Sequence, residues 1–258
     1  MWRAKLLLGA MILSCFGRVE AQQVAPIATV KASVQPAAAT LDQLAQQTAA
    51  YRKVVPNFTC DEHAVSSAIR GGKLKLRIEF TGTIRVVRAA NDDLAENFIF
   101  TSYMGKPTVK GGKYPLPLYV NGLISGGMPS FFDASQQSCF RYTNGDQRIE
   151  FESQPGDEPA CADKKGITGF VTLDEQGSLL HEEIHRQEKD AAKWNLVRVG
   201  AIDYDVVSLN HQDYRLPVHV YAENPKGFAL DANFTACRLF QTTVTISPAG
   251  PVVGDGTN

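Results

Sequence analysis

Apolar and polar residues alternate along much of the chain that follows residue 73. In residues 74–86, apolar side chains occupy nearly every second position and polar side chains lie between them. A period of two is typical of a β-strand with one face in the core and the other in water. Gly82, in the middle of this run, predicts a bend or a bulge. The same pattern predicts further strands at 98–103, 140–143, 147–151, 166–173, 179–184, 194–207, 214–221 and 228–246.

Residues that favour turns separate these predicted strands. Asn144 and Gly145 predict a two-residue hairpin turn, residues 174–177 predict a second hairpin, and residues 224–227 predict the last turn. Eight or more strands at this spacing, preceded by one helix, predict a mainly β fold of the α+β class. We expect a large curved antiparallel sheet, or half-barrel, that wraps around an N-terminal helix.

One stretch before the strands has the helical period instead. Residues at helical spacing form its apolar face: Leu41, Leu44, Ala45, Thr48 and Tyr51. Residues 40–43 match a capping box, in which the side chain of Thr40 would bind free N–H groups of the first turn. Pro56 predicts the end of the helix because proline cannot continue it. We therefore predict a helix that starts at Thr40 and ends before Pro56.

The first residues have the three parts of a secretory signal peptide. Arg3 and Lys5 precede an apolar run at residues 6–16, and a short polar stretch then ends at Ala21. The apolar run has eleven residues, whereas a membrane span needs about 20. We predict cleavage after Ala21 and a location in the periplasm or outside the cell. The alternative is a lipoprotein in which Cys15 is lipidated.

The remaining chain divides by composition. Residues 22–39 are rich in Ala, Gln, Val and Pro and predict a flexible leader, and residues 248–258 predict a loose tail. Residues 40–247 show no internal break, so we expect a single β-rich domain. No later run is apolar and long enough to cross a bilayer, so no transmembrane segment is expected after signal cleavage.

Four cysteines remain after the predicted cleavage: Cys60, Cys139, Cys161 and Cys237. An even number of cysteines in an exported protein favours disulfides. Four cysteines allow three pairings, and the sequence leaves all three open. We favour Cys139 with Cys161, which flank a short hairpin, and Cys60 with Cys237, which would link the first strand to the last. A closure over so long a stretch stabilises by about 4–5 kcal/mol in the chain-entropy model.

Charge and motifs exclude several classes of function. The formal net charge of −1 gives no basic surface for nucleic acid. The chain has no Gly-x-Ser-x-Gly elbow, no glycine-rich phosphate loop and no Cys-x-x-Cys pair. We therefore expect no cofactor and no resident metal, and we favour a non-enzymatic protein.

The segment from residue 104 to residue 132 is unusually apolar for a loop that is also rich in glycine and proline. A long loop of this kind is either buried or binds a ligand. Two interpretations stay open: a plug that packs its own side chains over the sheet, and a binding surface for an apolar ligand. The candidate ligand-binding residues are Tyr114, Leu118, Tyr119, Ile124, Phe131 and Phe132.

Residues 181–185 match the zinc-peptidase motif H-E-x-x-H. On a helix, His181 and His185 would lie on one face and hold Zn²⁺, with Glu182 as the general base. The segment follows a turn and a strand, and residues 178–193 fit either a strand or a helix. On a strand, the two histidines would instead share one face with Glu183. The peptidase is therefore an alternative that requires a helix at this place.

Two short stretches resemble a known family. Residues 169–180, Gly-Phe-Val-Thr-Leu-Asp-Glu-Gln-Gly-Ser-Leu-Leu, and residues 214–218, Tyr-Arg-Leu-Pro-Val, resemble the closing strands of LolA-like lipoprotein carriers. The resemblance implies a curved antiparallel sheet that is covered by helices and binds acyl chains in its cavity. It extends over residues 40–246 in pattern and contains no residue-specific motif that would transfer a site.

These observations leave three hypotheses about function. The favoured one is a non-enzymatic envelope protein that binds an apolar ligand, either a lipid or a lipidated protein, in a half-barrel cavity. The second is the zinc metallopeptidase, and the third is a structural or interaction module without a small ligand. A cavity in the sheet interior would favour the first, and a filled interior with an exposed apolar patch would favour the third.

Overall fold

The computed structural model describes residues 38–89, 94–122, 124, 130–145, 147–154, 161, 164–189, 191 and 197–240. The predicted signal peptide at 1–21, most of the leader at 22–39 and the tail at 248–258 lie outside the described residues. No helix in the described part of the chain is long and apolar enough to cross a bilayer.

An N-terminal helix precedes eleven strands. Helix α1 spans Ala38–Val54, and two short 3₁₀ helices span Ser130–Phe132 and Gln137–Cys139. The strands are β1 Phe58–Arg70, β2 Lys73–Arg88, β3 Leu94–Tyr103, β4 Lys106–Pro107, β5 Phe140–Gly145, β6 Arg148–Ser153, β7 Ile167–Leu173, β8 Leu179–Arg186, β9 Val199–Leu209, β10 Gln212–Glu223 and β11 Phe228–Leu239. Two predicted strands also covered residues 194–196 and 241–246, which lie outside the described residues.

The eleven strands form one antiparallel sheet in the order β4-β3-β2-β1-β11-β10-β9-β8-β7-β6-β5. Among the described residues, β4 and β5 are the two edges, so the sheet is open. Strand β1 lies between β2 and β11, so it joins the meander β1–β4 to the meander β5–β11. The prediction of a mainly β fold with a large antiparallel sheet and an N-terminal helix is confirmed.

The chain between β4 and β5 connects opposite edges of the sheet. We call the described residues between Pro107 and Phe140 the crossing segment. It bonds to Ser66 of β1 and to Tyr51 of α1, and its Phe131 ring packs against Phe140 of β5. The crossing segment and α1 therefore cover the same side of the sheet, which we call the inner face.

The core lies between the inner face and these two covers. Alternate residues of the strands point into it, as the pleat requires: Phe58, Phe80, Ile84, Ile149, Val171, Leu216, Val220 and Leu230 are all buried. The predicted helix face is buried at Leu44, Thr48 and Tyr51. The helix begins at Ala38, however, so the prediction that Thr40 starts it is wrong. Two alanines before Thr40 have high helix propensity and extend the helix.

The other end of α1 is anchored by Arg88 of β2. Its guanidinium donates to the carbonyl oxygens of Arg52, at 2.7 Å, and Val55, at 2.9 Å. The backbone N–H of Arg88 also donates to Asn57 Oδ1, at 2.6 Å. Carbonyl groups at the end of a helix have no partners within the helix, so Arg88 supplies them from the sheet.

The turn between β5 and β6 differs from the prediction. Asn144 and Gly145 remain in β5, where they pair with Ile149 and Arg148. The chain reverses between Gly145 and Arg148, and Gln147 takes the left-handed conformation, with φ of 52°. The predicted Asn144-Gly145 turn is therefore wrong by two residues. Gln147 adopts the left-handed backbone conformation that a two-residue hairpin turn requires and that glycine adopts most easily.

The predicted irregularity at Gly82 is confirmed. The register between β2 and β3 shifts between Thr81 and Gly82. The ring of Phe98 lies directly over Gly82, and a β-carbon there would come within 2.1 Å of that ring. Glycine is needed at this position because the aromatic ring occupies the space of a side chain.

Two disulfides tie the sheet together, in the pairing that the sequence favoured. Cys60 of β1 is bonded to Cys237 of β11, across a sequence separation of 177 residues. Cys139 is bonded to Cys161, with a separation of 22 residues. The first bond joins the two neighbouring strands that begin and end the sheet in sequence.

Candidate functional site

The apolar inner face of β2 extends beyond its cover. Leu76, Ile78 and Phe80 alternate along β2 and belong to the inner face. A register shift between Ala68 and Ile69 pairs Leu74 with exposed Ile69, which places Leu74 on the outer face. Ile78 and Phe80 are 5% and 0% exposed, whereas Leu76 is 45% exposed. The sequence pattern predicted one dry face over the whole run. The end near the β1–β2 turn is instead an uncovered piece of the inner face.

This uncovered end forms one side of a groove with a volume of about 780 Å³. The lining is mainly apolar: Ala68, Leu76, Ile78, Tyr103, Met104, Pro115, Leu116, Pro117 and Phe228. Small-molecule sites commonly have volumes of about 300–1,000 Å³ and mainly apolar linings. Arg70 and Lys75 are the two charged residues of the lining, and both are exposed. The groove is therefore an apolar channel with positive charge at its rim.

One wall of the groove belongs to a part of the crossing segment that we call the strap, residues 114–122 and 124. The strap lies on the sheet without strand pairing among its described residues. Ser66 Oγ accepts a hydrogen bond from the N–H of Leu118, at 2.9 Å, and donates to its carbonyl oxygen, at 2.7 Å. Tyr103 donates to the carbonyl oxygen of Pro115, at 2.7 Å. A few side chains therefore hold the strap in place.

A row of aromatic rings leads from the groove to the space beneath the strap. Its members are Tyr103, Tyr114, Phe100, Phe98, Phe80 and Tyr119, and neighbouring ring centroids are 4.7–6.5 Å apart. Rings at such distances stack or meet edge to face. Tyr103 also lines the groove, so the groove and the covered aromatic row are continuous.

The strap is also bound to two acidic residues of the inner face. Glu96 of β3 accepts hydrogen bonds from the N–H groups of Gly122, at 2.7 Å, and Ile124, at 2.5 Å. Tyr119 is hydrogen-bonded to Glu62 of β1, which is 3% exposed. Burial and the nearby Glu96 raise the pKa of Glu62 to about 8, although the bond from Tyr119 acts in the opposite direction. Glu62 is thus a buried acid at neutral pH.

The predicted ligand-binding residues separate into two groups. Tyr114, Leu118 and Tyr119 lie on the half-buried strap, next to the groove or the aromatic row. Ile124, Phe131 and Phe132 are buried, the last two against the rings of Phe140, Tyr142 and Phe151. The sequence interpretation missed Leu76, Met104 and Leu116 of the groove. Leu76 could have been identified in the sequence because it lies close to the Gly71-Gly72 turn, where few residues are available to cover an apolar side chain.

The zinc-peptidase alternative fails on geometry. Residues 181–185 lie in strand β8, so the required helix is absent. Glu182 points into the core, 5% exposed, and accepts a hydrogen bond from Tyr204 at 3.0 Å. Burial raises its pKa to about 7, against the effect of the Tyr204 bond. His181 and His185 lie on the opposite, outer face, so the general base and the ligands are separated by the sheet.

The outer-face histidines are paired with carboxylates instead. Asp203 accepts from His181, at 2.5 Å, and from His219, at 2.8 Å, and His219 also bonds to Asp231, at 3.0 Å. Burial alone would lower the pKa of His219, but the two aspartates outweigh burial and raise it. Within the described parts of the chain, no three His, Cys, Asp or Glu side chains are arranged to hold a metal ion.

No protein-family model and no curated protein matches this chain. Among solved structures, it is similar to a domain assigned to outer membrane lipoprotein sorting from Vibrio parahaemolyticus (12% identity; 79% of this chain and 93% of that chain covered; TM-score 0.43). It is also similar to a DUF1329 family protein from Desulfovibrio piger (14%; 80% and 94%; 0.39) and a LolA superfamily protein from Nitrosomonas europaea (9%; 79% and 94%; 0.33).

Proposed function

We propose that the protein binds the acyl chain of an anionic lipid, or of a lipidated protein, in the groove between β1, β2 and the strap. The observation that carries this proposal is the exposure of Leu76 on the inner face of β2, where it lines an apolar groove of about 780 Å³. We further propose that the chain acts outside the cytoplasm as a non-enzymatic carrier, with residues 40–247 as its single domain.

The energy of apolar burial supports an acyl ligand. Each methylene group removed from water contributes about 0.8 kcal/mol, so a chain that covers Leu76 and Met104 gains several kcal/mol from both surfaces. Contiguous exposed apolar surface of this kind is a recognised mark of binding sites. An extended alkyl chain fits a long open groove better than a compact ligand does.

The rim charges support an anionic head group. Arg70 and Lys75 line the groove, and Lys73 lies between them in sequence, next to the turn of the same hairpin. A carboxylate or phosphate near the tip would be attracted to these cations, and the acyl chain would then lie along the apolar floor. A neutral head group would lose that attraction.

The signal-peptide pattern and the disulfides support a location outside the cytoplasm. Residues 1–21 have the order of regions that exported proteins carry. Disulfides such as Cys60–Cys237 and Cys139–Cys161 persist in oxidising compartments. An envelope location would also bring the groove close to membrane lipids and lipoproteins.

A titration with the fluorescent fatty acid cis-parinaric acid tests the proposal. We expect Leu76→Ser to weaken binding about tenfold, because it removes roughly 1.4 kcal/mol of apolar contact. Leu180→Ser is the matched control, since Leu180 is 39% exposed and does not line the groove. We expect Lys75→Gln to weaken binding of the acid but not of its methyl ester. Equal effects of Leu76→Ser and Leu180→Ser would refute the groove as the site.

A protein partner is the second candidate, because the interior of the sheet is largely filled. Leu44, Ile124 and Phe132 are at most 2% exposed, and they pack α1 and the crossing segment tightly against the sheet. A filled interior beside an exposed apolar patch suits an interaction module. This candidate predicts that cis-parinaric acid does not bind and that the groove residues affect binding of a protein instead.

A further inference from the structure

The strap lies over two acidic residues of the inner face, Glu62 and Glu96. The carboxyl of Glu62 is 3% exposed, and its Oε2 atom has no hydrogen-bond partner within the described chain. Tyr119 is bonded to the same carboxyl, while Glu96 holds the N–H groups of Gly122 and Ile124. Strap and sheet therefore meet at two adjacent acids.

Among the described residues, no cationic group acts on Glu62. Its partners in β2 and β11 are Gly82 and Phe234, which carry no charge. The titratable groups that act on it are Glu96 of β3 and Tyr119 of the strap. Tyr51 of α1 also feels Glu96, and its pKa is raised by burial and by that carboxyl. An ionised Glu62 would place a second negative charge beside Glu96 in a medium of low polarity.

The strap is the part of this enclosure that opens most easily. The other walls are strands in continuous ladders, whereas the described strap is held by a few hydrogen bonds with the side chains of Ser66, Tyr103, Tyr51 and Glu96. Segments with few buried contacts and few backbone ladder bonds open at the lowest free-energy cost. Water admitted by an open strap would hydrate the Glu62 carboxylate.

We propose that Glu62 is a proton-controlled latch: the protonated acid keeps the strap closed, and loss of the proton releases it and uncovers the aromatic row. The opened row extends the groove, because Tyr103 belongs to both. This extension would admit more of an acyl chain, a consequence that rests on the function proposed above. The latch itself does not depend on any ligand.

The sign and the range of the effect follow from proton linkage. The pKa of Glu62 is raised from 4.5 to about 8 in the closed protein, and exposure to water in the open form returns it toward the lower value. The closed form then binds one more proton than the open form between these values. The equilibrium constant for opening of the strap should increase about tenfold per pH unit across that range and should be constant above pH 8.

Hydrogen exchange of the ligand-free chain from residue 22 tests the latch. Protection of the peptide that covers residues 114–124, corrected for intrinsic exchange, should fall roughly a hundredfold between pH 5.5 and 7.5. Glu62→Gln cannot ionise and should abolish this dependence. Glu182→Gln, which alters another buried acid on β8, should retain it. Tyr119→Phe should lower the protection of the strap already at pH 5.5, because it removes the bond to Glu62.

The outcomes separate the latch from the proposed function. Protection of the strap that does not change with pH in the natural sequence, or a dependence that survives Glu62→Gln in a folded variant, would overturn the latch. Far-ultraviolet circular dichroism establishes whether that variant is folded, and Tyr119→Phe tests the same bond if it is not. A strap that responds to pH in a chain that binds no fatty acid would uphold the latch and refute the acyl-binding function.

Discussion

At the residue scale, buried acids make the stability of the inner face depend on pH. Burial raises the pKa values of Glu62 and Glu182 to about 8 and about 7. Both groups bind protons more tightly in the folded chain than in the unfolded chain. Their contribution to the free energy of unfolding is therefore fully present below pH 4.5 and decreases as the pH rises toward those values. The interior therefore favours the protonated, uncharged forms of Glu62 and Glu182.

Gly82 is a residue at which the sheet has no room for a side chain. A β-carbon there would meet the Phe98 ring at 2.1 Å and the carbonyl oxygen of Ile99 at 2.7 Å. We expect Gly82→Ala to lower the free energy of unfolding by about 1–3 kcal/mol, since it overpacks the core and displaces the ring. Urea unfolding monitored by circular dichroism measures the change.

Gly145→Ala is the matched control for Gly82→Ala. The nearest atom to a β-carbon at Gly145 is 3.5 Å away, which is ordinary contact, so we expect a change of less than about 0.5 kcal/mol. A cost at Gly82 no larger than the cost at Gly145 would show that Phe98 does not occupy this space in solution.

Some of these residues could be identified in the sequence and others could not. Gly82 interrupts an alternating strand, and a glycine there predicts a bulge because it packs no side chain. Glu62 also follows a period of two, between Cys60 and Ala64, which places it on the inner side. Alternation alone gave no reason to accept a carboxyl in the core, because the pKa of Glu62 is raised by burial and by Glu96, which lies far away in sequence.

At the element scale, one arginine of β2 helps to hold the C-terminal end of α1 on the sheet. We expect Arg88→Gln to lower the free energy of unfolding by about 1–3 kcal/mol, because hydrogen bonds from a charged donor to two carbonyl groups of the helix end are lost. Arg77→Gln on the same strand is the control, since Arg77 is exposed and pairs only with exposed Glu79. Chemical denaturation of both variants measures the difference, and equal stability would contradict this role of Arg88.

Strand β8 shows that a sequence motif predicts a function only when its residues lie in the required secondary structure. The spacing of His181 and His185 suits one face of a helix as well as one face of a strand, so the pattern could not decide between them. The structure decides because β8 pairs with β7 and β9 on both sides. A helix in this place would interrupt both ladders and leave their backbone groups without partners.

At the scale of the whole molecule, the strand order could be predicted less well than the strands. The alternation of apolar and polar residues, together with the turn residues, predicted most strands and their antiparallel arrangement, because these features depend on local sequence. They did not show that the chain between β4 and β5 crosses from one edge of the sheet to the other. That path is fixed by contacts distant in sequence, such as those of Leu118 with Ser66 and of Ile124 with Tyr51.

The same path creates the groove. The crossing segment covers the inner face from β5 to the strap but stops short of the hairpin that joins β1 and β2. Leu76 therefore remains exposed, although its position in the pleat matches those of buried Ile78 and Phe80. The groove is a product of the whole architecture, which explains why the candidate residues chosen from the loop sequence described it only in part.

Native mass spectrometry of residues 22–258 purified from a bacterial periplasm tests the central claim most directly. The account predicts an adduct with the mass of an acyl lipid, which is retained in Leu180→Ser and reduced in Leu76→Ser. A chain that carries no adduct, and that stays bare after incubation with a fatty acid, would contradict acyl binding. With both disulfides formed, such a bare chain would weigh four hydrogens less than the reduced chain and would be a folded protein without a lipid.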